Sequence, residues 1–134
     1  MNILVNIGSD GEQSVSGIID FGDMTLAPKV CEPAIAMAYA MMGDGDPIAR
    51  GAALAAGFHK ILPLSDQEIA MLLPLIKMRL ANSVTNAIIE RKQHPENEYL
   101  SISEAPAWAL LETLDKLDAL ECEHKFRTAC LETN

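Results

Sequence analysis

The sequence predicts a mainly α fold carrying one small β-hairpin, and two patterns predict it. Two short apolar runs, Ile3 to Ile7 and Val15 to Ile19, flank GSDGEQS, whose Gly, Ser and Asp favour a turn. Further on, apolar residues recur at helical spacing from Ile69 through Leu72, Leu73, Ile76, Leu80, Val84 and Ala87 to Ile88. At 134 residues the chain has room for one domain with a real core, residues 1–134, and little room for two. The hairpin region spans 1–24 and the helical region 33–131, in four or five helices.

The hairpin pairs its two runs antiparallel. A regular ladder with Ile3 opposite Ile19 places Asn2 opposite Asp20 at the open end. Two strands alone are marginal in water, so the hairpin must pack on the helices or on something outside this chain. Pro33 suits a first helical turn, and the apolar segment after it ends at Gly43. GDGDP leads into a second helix from about Pro47 to His59, and its GAALAAG permits close approach of a neighbouring helix. Ser65 with Glu68 reads as a capping box opening a long amphipathic helix to about Lys92. Pro74 falls inside that helix and predicts a kink rather than a break. HPENEYLS is a polar loop; Ser103 to about Leu120 and Glu121 to Cys130 complete the helices. Met37, Met41, Met42, Met71 and Met78 fit as core filler.

Ten Lys and Arg against 19 Asp and Glu give a net charge of −9, a field that opposes nucleic acid. No apolar run approaches the roughly 18 residues of a membrane helix. With no signal-peptide pattern, and with three cysteines that form no CxxC pair, the expectation is a cytosolic protein with reduced thiols. Cys122, His124 and Cys130 do not share one helix face, which disfavours a metal centre there.

The chemistry-bearing stretch is GIIDFGDM, Gly17 to Met24. An Asp directly after a strand, in a Gly-containing loop, exposes its carboxylate at the sheet edge, and hard cations such as Mg²⁺ take oxygen ligands. Asp20 and Asp23 are therefore either turn residues or parts of a cation site, with Asn2 as a further oxygen donor. Asn2-Ile3-Leu4 followed by GIIDFGD resembles the centre of the aminoglycoside phosphotransferase and choline kinase-like superfamily. IIDFGDM, EPAIAMAY, FHKILPLSDQEIAMLLPLIKMRL and NEYLSISEAPAWALLE are similar to its hydroxylysine kinase branch, which includes phosphotransferase domains fused to class III aminotransferases.

That resemblance covers essentially the whole chain and implies the end of the C-lobe of a protein-kinase-like fold. It implies Mg²⁺ and ATP as cofactors of the complete enzyme, without implying that this chain alone binds them. Carried over by position, Asn2 and Asp20 are the metal ligands, Leu4 and Ile19 line the apolar floor under adenine, and Asp23 orients the loop. Where the family often has an Asp before the next helix, this chain has Glu32. The family motif H-x-D-x-x-x-x-N puts its catalytic Asp five residues before the Asn, and only Met1 precedes Asn2. With the base, the N-lobe and the phosphate-contacting Lys lying outside these residues, the chain is expected to be inactive alone.

Arg79 faces either the substrate cleft, where it holds an anion, or solvent. Trp108 is expected to anchor the core, with substrate stacking as the alternative. The implied function is phosphoryl transfer from ATP to a hydroxyl of an amino acid, amino alcohol or aminoglycoside-like small molecule. The competing reading is a non-catalytic helical interaction or dimerisation module, whose apolar face is covered by the N-lobe or by a second copy.

Overall fold

The computed structural model describes residues 3–22, 24–94 and 104–132. Strands β1 (Ile3–Ile7) and β2 (Gln13–Ile18) form an antiparallel hairpin. Five helices follow among the described residues: α1 (Cys31–Ala40), α2 (Pro47–Ile61), α3 (Asp66–Gln93), α4 (Glu104–Asp115) and α5 (Ala119–Glu132). The mainly helical expectation with one hairpin stands. No helix of the described residues is long and apolar enough to cross a membrane.

The hairpin register differs from the regular ladder. Ile3 pairs with Ile18 and Leu4 with Gly17, but Val5 pairs with Val15 and Ile7 with Gln13. Ser16 is therefore an extra residue on β2, a bulge that shifts the pairing beyond it by one position. The five-residue connection closes with Gly8 N–H donating to Glu12 O at 2.8 Å and Gly11 N–H to Gly8 O at 2.9 Å. Gly11 takes a φ of 84°, a left-handed conformation that costs glycine little.

The helices start where their caps direct. The Asp46 carboxylate accepts from Ile48 N–H at 2.8 Å and Ala49 N–H at 3.2 Å, and Pro47 follows at the first helical position. Ser65 and Glu68 form the reciprocal capping box, with Ser65 N–H donating to Glu68 Oε2 at 2.7 Å. α3 runs as one element through Pro74. The fourth helix is shorter than its sequence suggests, ending at Asp115, and α5 begins at Ala119. The Asp118 carboxylate, accepting from Glu121 N–H at 2.9 Å, caps a new helix where Leu120 was expected to end the old one. Ser103, the expected start of that helix, lies outside the described residues, as does most of HPENEYLS.

α3 is the central strut: α1, α4 and α5 pack on it, and α2 packs on α1 and α5. Met37, Met41, Leu72, Ile76, Leu80, Leu114, Phe126 and Cys130 are fully buried between them. Gly51 lets α1 and α2 approach closely, since a Cβ there would lie 2.9 Å from Met41 Sδ and 3.3 Å from Met37 Cε. Met37 and Met41 fill the core as expected, whereas Met71 and Met78 are exposed. The buried stripe of α3 is already occupied by Ile69, Leu72, Leu73, Ile76, Leu80 and Val84, so Met71 and Met78 fall beside it. Arg50 closes the α1–α2 junction, donating to Met41 O at 2.6 Å, to Gly43 O at 3.0 Å and to Asp44 O, and so satisfies carbonyls that the end of α1 leaves unpaired.

The hairpin does not pack into this core. Its apolar residues Ile3, Leu4, Val5, Ile7, Val15 and Ile18 are all exposed, as are Phe21, Met24 and Leu26 in the segment leading to α1. The chain exposes 9164 Å², where a compact monomer of its mass would expose roughly 6,900 Å². Of the two options for the hairpin, packing on the helices is the one that fails.

Candidate functional site

Asp20 stands two residues after the last residue of β2, with a φ of 68°. Among the described residues it is the one non-glycine with a positive φ. Asp tolerates the left-handed region better than most residues, yet the conformation still costs free energy and recurs at functional sites. Its carboxylate lies on the exposed end of the hairpin, after the bulge. Asn2 and Asp23, its expected partners, lie outside the described residues. The register expected to set Asn2 opposite Asp20 is replaced by one in which Ile18, not Ile19, faces Ile3: the tight connection puts Ile7 opposite Gln13 rather than Val15, and the extra residue at Ser16 makes up one of those two positions.

Leu4 and Ile19, at 47% and 46% exposure, present apolar surface on the same hairpin. A surface of this kind suits a flat aromatic ligand or a covering protein layer equally. Glu32 lies in the first turn of α1 with its side chain exposed, where a negative charge favours the helix N-terminus.

Arg79 lies on α3 and turns toward α1. Its Nη2 donates to Tyr39 Oη at 2.6 Å, and its guanidinium carbon is 5.4 Å from the Tyr39 ring centroid. Burial pushes the Tyr39 phenol up, but hydrogen bonds from Arg79 and Ser83, together with the Arg79 charge, outweigh it and leave the group below its ordinary value. Among the described residues, Arg79 Nε is buried with no partner. Arg79 lines a cleft of about 150 Å³ with Cys31, Ala34, Ile35, Leu75, Met78 and Asn82.

Trp108 does not anchor the core. It is 52% exposed, because Ala107, Leu110 and Leu114 supply the buried face of α4 and leave Trp108 off it. Instead it lines a cleft of about 480 Å³ between α3 and α4, with Val84, Ile88, Arg91, Glu104 and Ala105. Arg91 and Glu104 pair there at 2.6 Å, so the charges in that cleft are already satisfied. Arg79 and Trp108 thus line separate clefts, and neither cleft is lined by hairpin residues. The residues missed in sequence are Tyr39 and Asn82. A usable signal existed for Asn82, since Leu75, Met78, Arg79 and Asn82 stand at i, i+3, i+4 and i+7 on one helix face.

Cys122 and Cys130 are buried on α5, and His124 is exposed on the same helix. Burial raises both thiols above their ordinary value. Among the described residues no group of three His, Cys, Asp or Glu side chains comes together to hold a metal ion.

No family model matches the chain, and no solved structure matches it. Curated sequences do. The hydroxylysine kinase of Xenopus laevis is 40% identical over 119 residues, covering 84% of this chain and 32% of that protein. The mouse hydroxylysine kinase is 37% identical over 118 residues, 84% of this chain and 31% of its own length. The zebrafish protein of that name is 32% identical over 126 residues, 93% of this chain and 36% of its own length. The chain therefore spans about a third of the curated relatives it matches, and over most of its own length it is similar to hydroxylysine kinases.

Proposed function

We propose that these 134 residues are the C-lobe portion of an ATP-dependent phosphotransferase that acts on the hydroxyl of an amino acid, with hydroxylysine as the acceptor. The observation that carries this reading is the combination of similarity to hydroxylysine kinases over 84% of the chain with an aspartate held in a left-handed conformation at the end of an apolar hairpin.

The donor set suits Mg²⁺, which is commonly held by one or two protein oxygens together with substrate phosphates. In this reading Asp20 and the Asn2 amide oxygen hold the ion, Asp23 orients the loop, and Leu4 and Ile19 lie under the adenine. When bound, the ion neutralises charge on the transferring phosphoryl group. The exposed hairpin supports the same reading: its register puts Ile3, Val5, Ile7, Val15 and Ile18 on one face, and an exposed apolar face of this kind belongs against another protein layer. A dimer of this chain would supply cover too, but it gives no account of the Asp20 conformation.

No His-x-Asp precedes Asn2 within these residues, so the proposed base and ATP lid come from sequence not included in them. The test is phosphorylation of hydroxylysine by a protein of the relatives' full length containing this chain. Asp20→Asn is expected to lower turnover by roughly 10² or more, with hydroxylysine binding retained. Near-normal turnover in that variant refutes the metal role of Asp20, and absence of turnover in the parent protein refutes the activity.

A further inference from the structure

The geometry points to the α1/α3 cleft beside Arg79 as a binding site for a carboxylate-bearing small molecule, which on the function proposed above is the carboxylate end of the amino-acid acceptor. Two helical stripes build the cleft. From α1 come Cys31, Ala34 and Ile35, at i, i+3 and i+4. From α3 come Leu75, Met78, Arg79 and Asn82. The lining is largely apolar with Arg79 and Asn82 as the polar donors, the usual make-up of a small-ligand site. At about 150 Å³ it suits a short aliphatic molecule with one polar end.

Arg79 differs from the other arginines in how its Nη donors are used, although Arg50 shares its lack of a carboxylate partner and its buried, unpartnered Nε. Arg91 pairs with Glu104, Arg127 with Asp66 and Glu123, and Arg50 with three backbone carbonyls. Among the described residues Arg79 has no carboxylate partner, although the chain carries 19 acidic residues. Its one described hydrogen bond is to the phenol of Tyr39. A guanidinium has five N–H donors in a fork that matches a carboxylate. Tyr39 engages one of them and steadies the group by ring contact, while Nε stays buried and unpartnered. The Nη donors that Tyr39 leaves over match a carboxylate at the cleft, and the Ile35, Leu75 and Met78 side chains provide surface for the methylenes that follow it.

Lysine is the probe, because it carries the carboxylate and aliphatic stem without the acceptor hydroxyl. Cadaverine lacks only the carboxylate, and inorganic phosphate tests for a general anion site. In NMR titrations of the 134-residue chain, lysine should shift the signals of Ile35, Met78, Asn82 and Arg79 Nε–H, and cadaverine should not. Arg79→Gln should weaken lysine binding roughly tenfold or more. Ile35→Trp, which fills the cleft and leaves Arg79 in place, should do the same, so a misfolded Arg79 variant does not decide the matter. Equal binding of cadaverine overturns the inference, as does phosphate binding in preference to lysine, lysine binding that survives Arg79→Gln, or no shift at tens of millimolar lysine. Turnover by the longer protein is scored separately. Turnover with an unchanged KM for hydroxylysine in Arg79→Gln overturns this site and leaves the proposed function standing. Arg79-dependent lysine binding in a protein without turnover does the reverse.

Discussion

His59→Ala tests what fixes the start of α3, the helix that carries Arg79. His59 is the buried polar residue of the described core, and its Nδ1 accepts the backbone N–H of Leu64 at 3.1 Å across the turn between α2 and α3. Leu64 is itself buried, so removing the imidazole strands a donor away from water. Leaving a buried N–H unmade costs about 1–3 kcal/mol, and the lost ring packing adds on the order of 1 kcal/mol. The sum is about 2–4 kcal/mol. With unfolding entropy near 2.1 cal/mol/K per residue, 134 residues lose roughly 3.5 °C of Tm per kcal/mol, so Tm should fall by roughly 7–14 °C. His59→Asn is the control, because its amide oxygen can occupy the position of Nδ1 and accept the same proton. Urea unfolding followed by circular dichroism should rank Asn well above Ala. Equal loss in the two variants, or a loss below about 0.5 kcal/mol in Ala, would refute the reasoning, since the hydrogen bond would then contribute nothing beyond the ring's bulk.

Three other outcomes follow from the packing and the charges. Phe126→Ala, at a fully buried position on α5, should cost about 3–5 kcal/mol in chemical unfolding; a loss under about 1 kcal/mol would mean that α5 is not part of the cooperative unit. Hydrogen bonds from the Ser65 backbone, offset in part by desolvation and reinforced by the Ser65 hydroxyl and Lys29, hold Glu68 below the usual carboxylate range. Its contribution to stability is therefore present above the ordinary Glu value and lost as pH falls through the lowered folded value. Melts of Glu68→Gln should accordingly converge on the parent at acid pH, and parallel curves would contradict the assignment. Cys122 and Cys130 should resist a thiol reagent in the folded chain while the partly exposed Cys31 reacts, with all three reacting in denaturant; because burial raises the two α5 thiols, their contribution to stability falls as pH rises past the ordinary thiol value.

Helix starts were the most legible part of the fold, because a cap is local: Asp46-Pro47 and Ser65 with Glu68 place their helices to within a residue. The α4–α5 break was not legible by the same means, since LDKLDALEC holds no Gly or Pro and its signal is one Asp among charged helix formers. Strand register was under-determined for a different reason. Register is read from alternation of apolar and polar residues, and Ile3-Leu4-Val5 offers none. Arg79 was identifiable as a candidate, but its contact with Tyr39 joins residues 40 apart, and no local rule finds such a pair. Trp108 followed the general tendency of large aromatics to be buried, which Ala107, Leu110 and Leu114 overrode by taking the inner face of α4.

The extra residue at Ser16 sets how β2 tolerates changes of length. A bulge adds local twist to its strand, and at Ser16 β2 carries one residue more than its partner. Deleting Ser16 would remove the one residue without a partner and leave Val15 opposite Val5, Gly17 opposite Leu4 and Ile18 opposite Ile3 in an unbroken ladder, so it would take away the local twist of the bulge without turning the strand over. Deletion of Ser16 should therefore be tolerated by the pairing, whereas an insertion between Gly17 and Asp20 should displace Asp20 from its present place at the end of the hairpin.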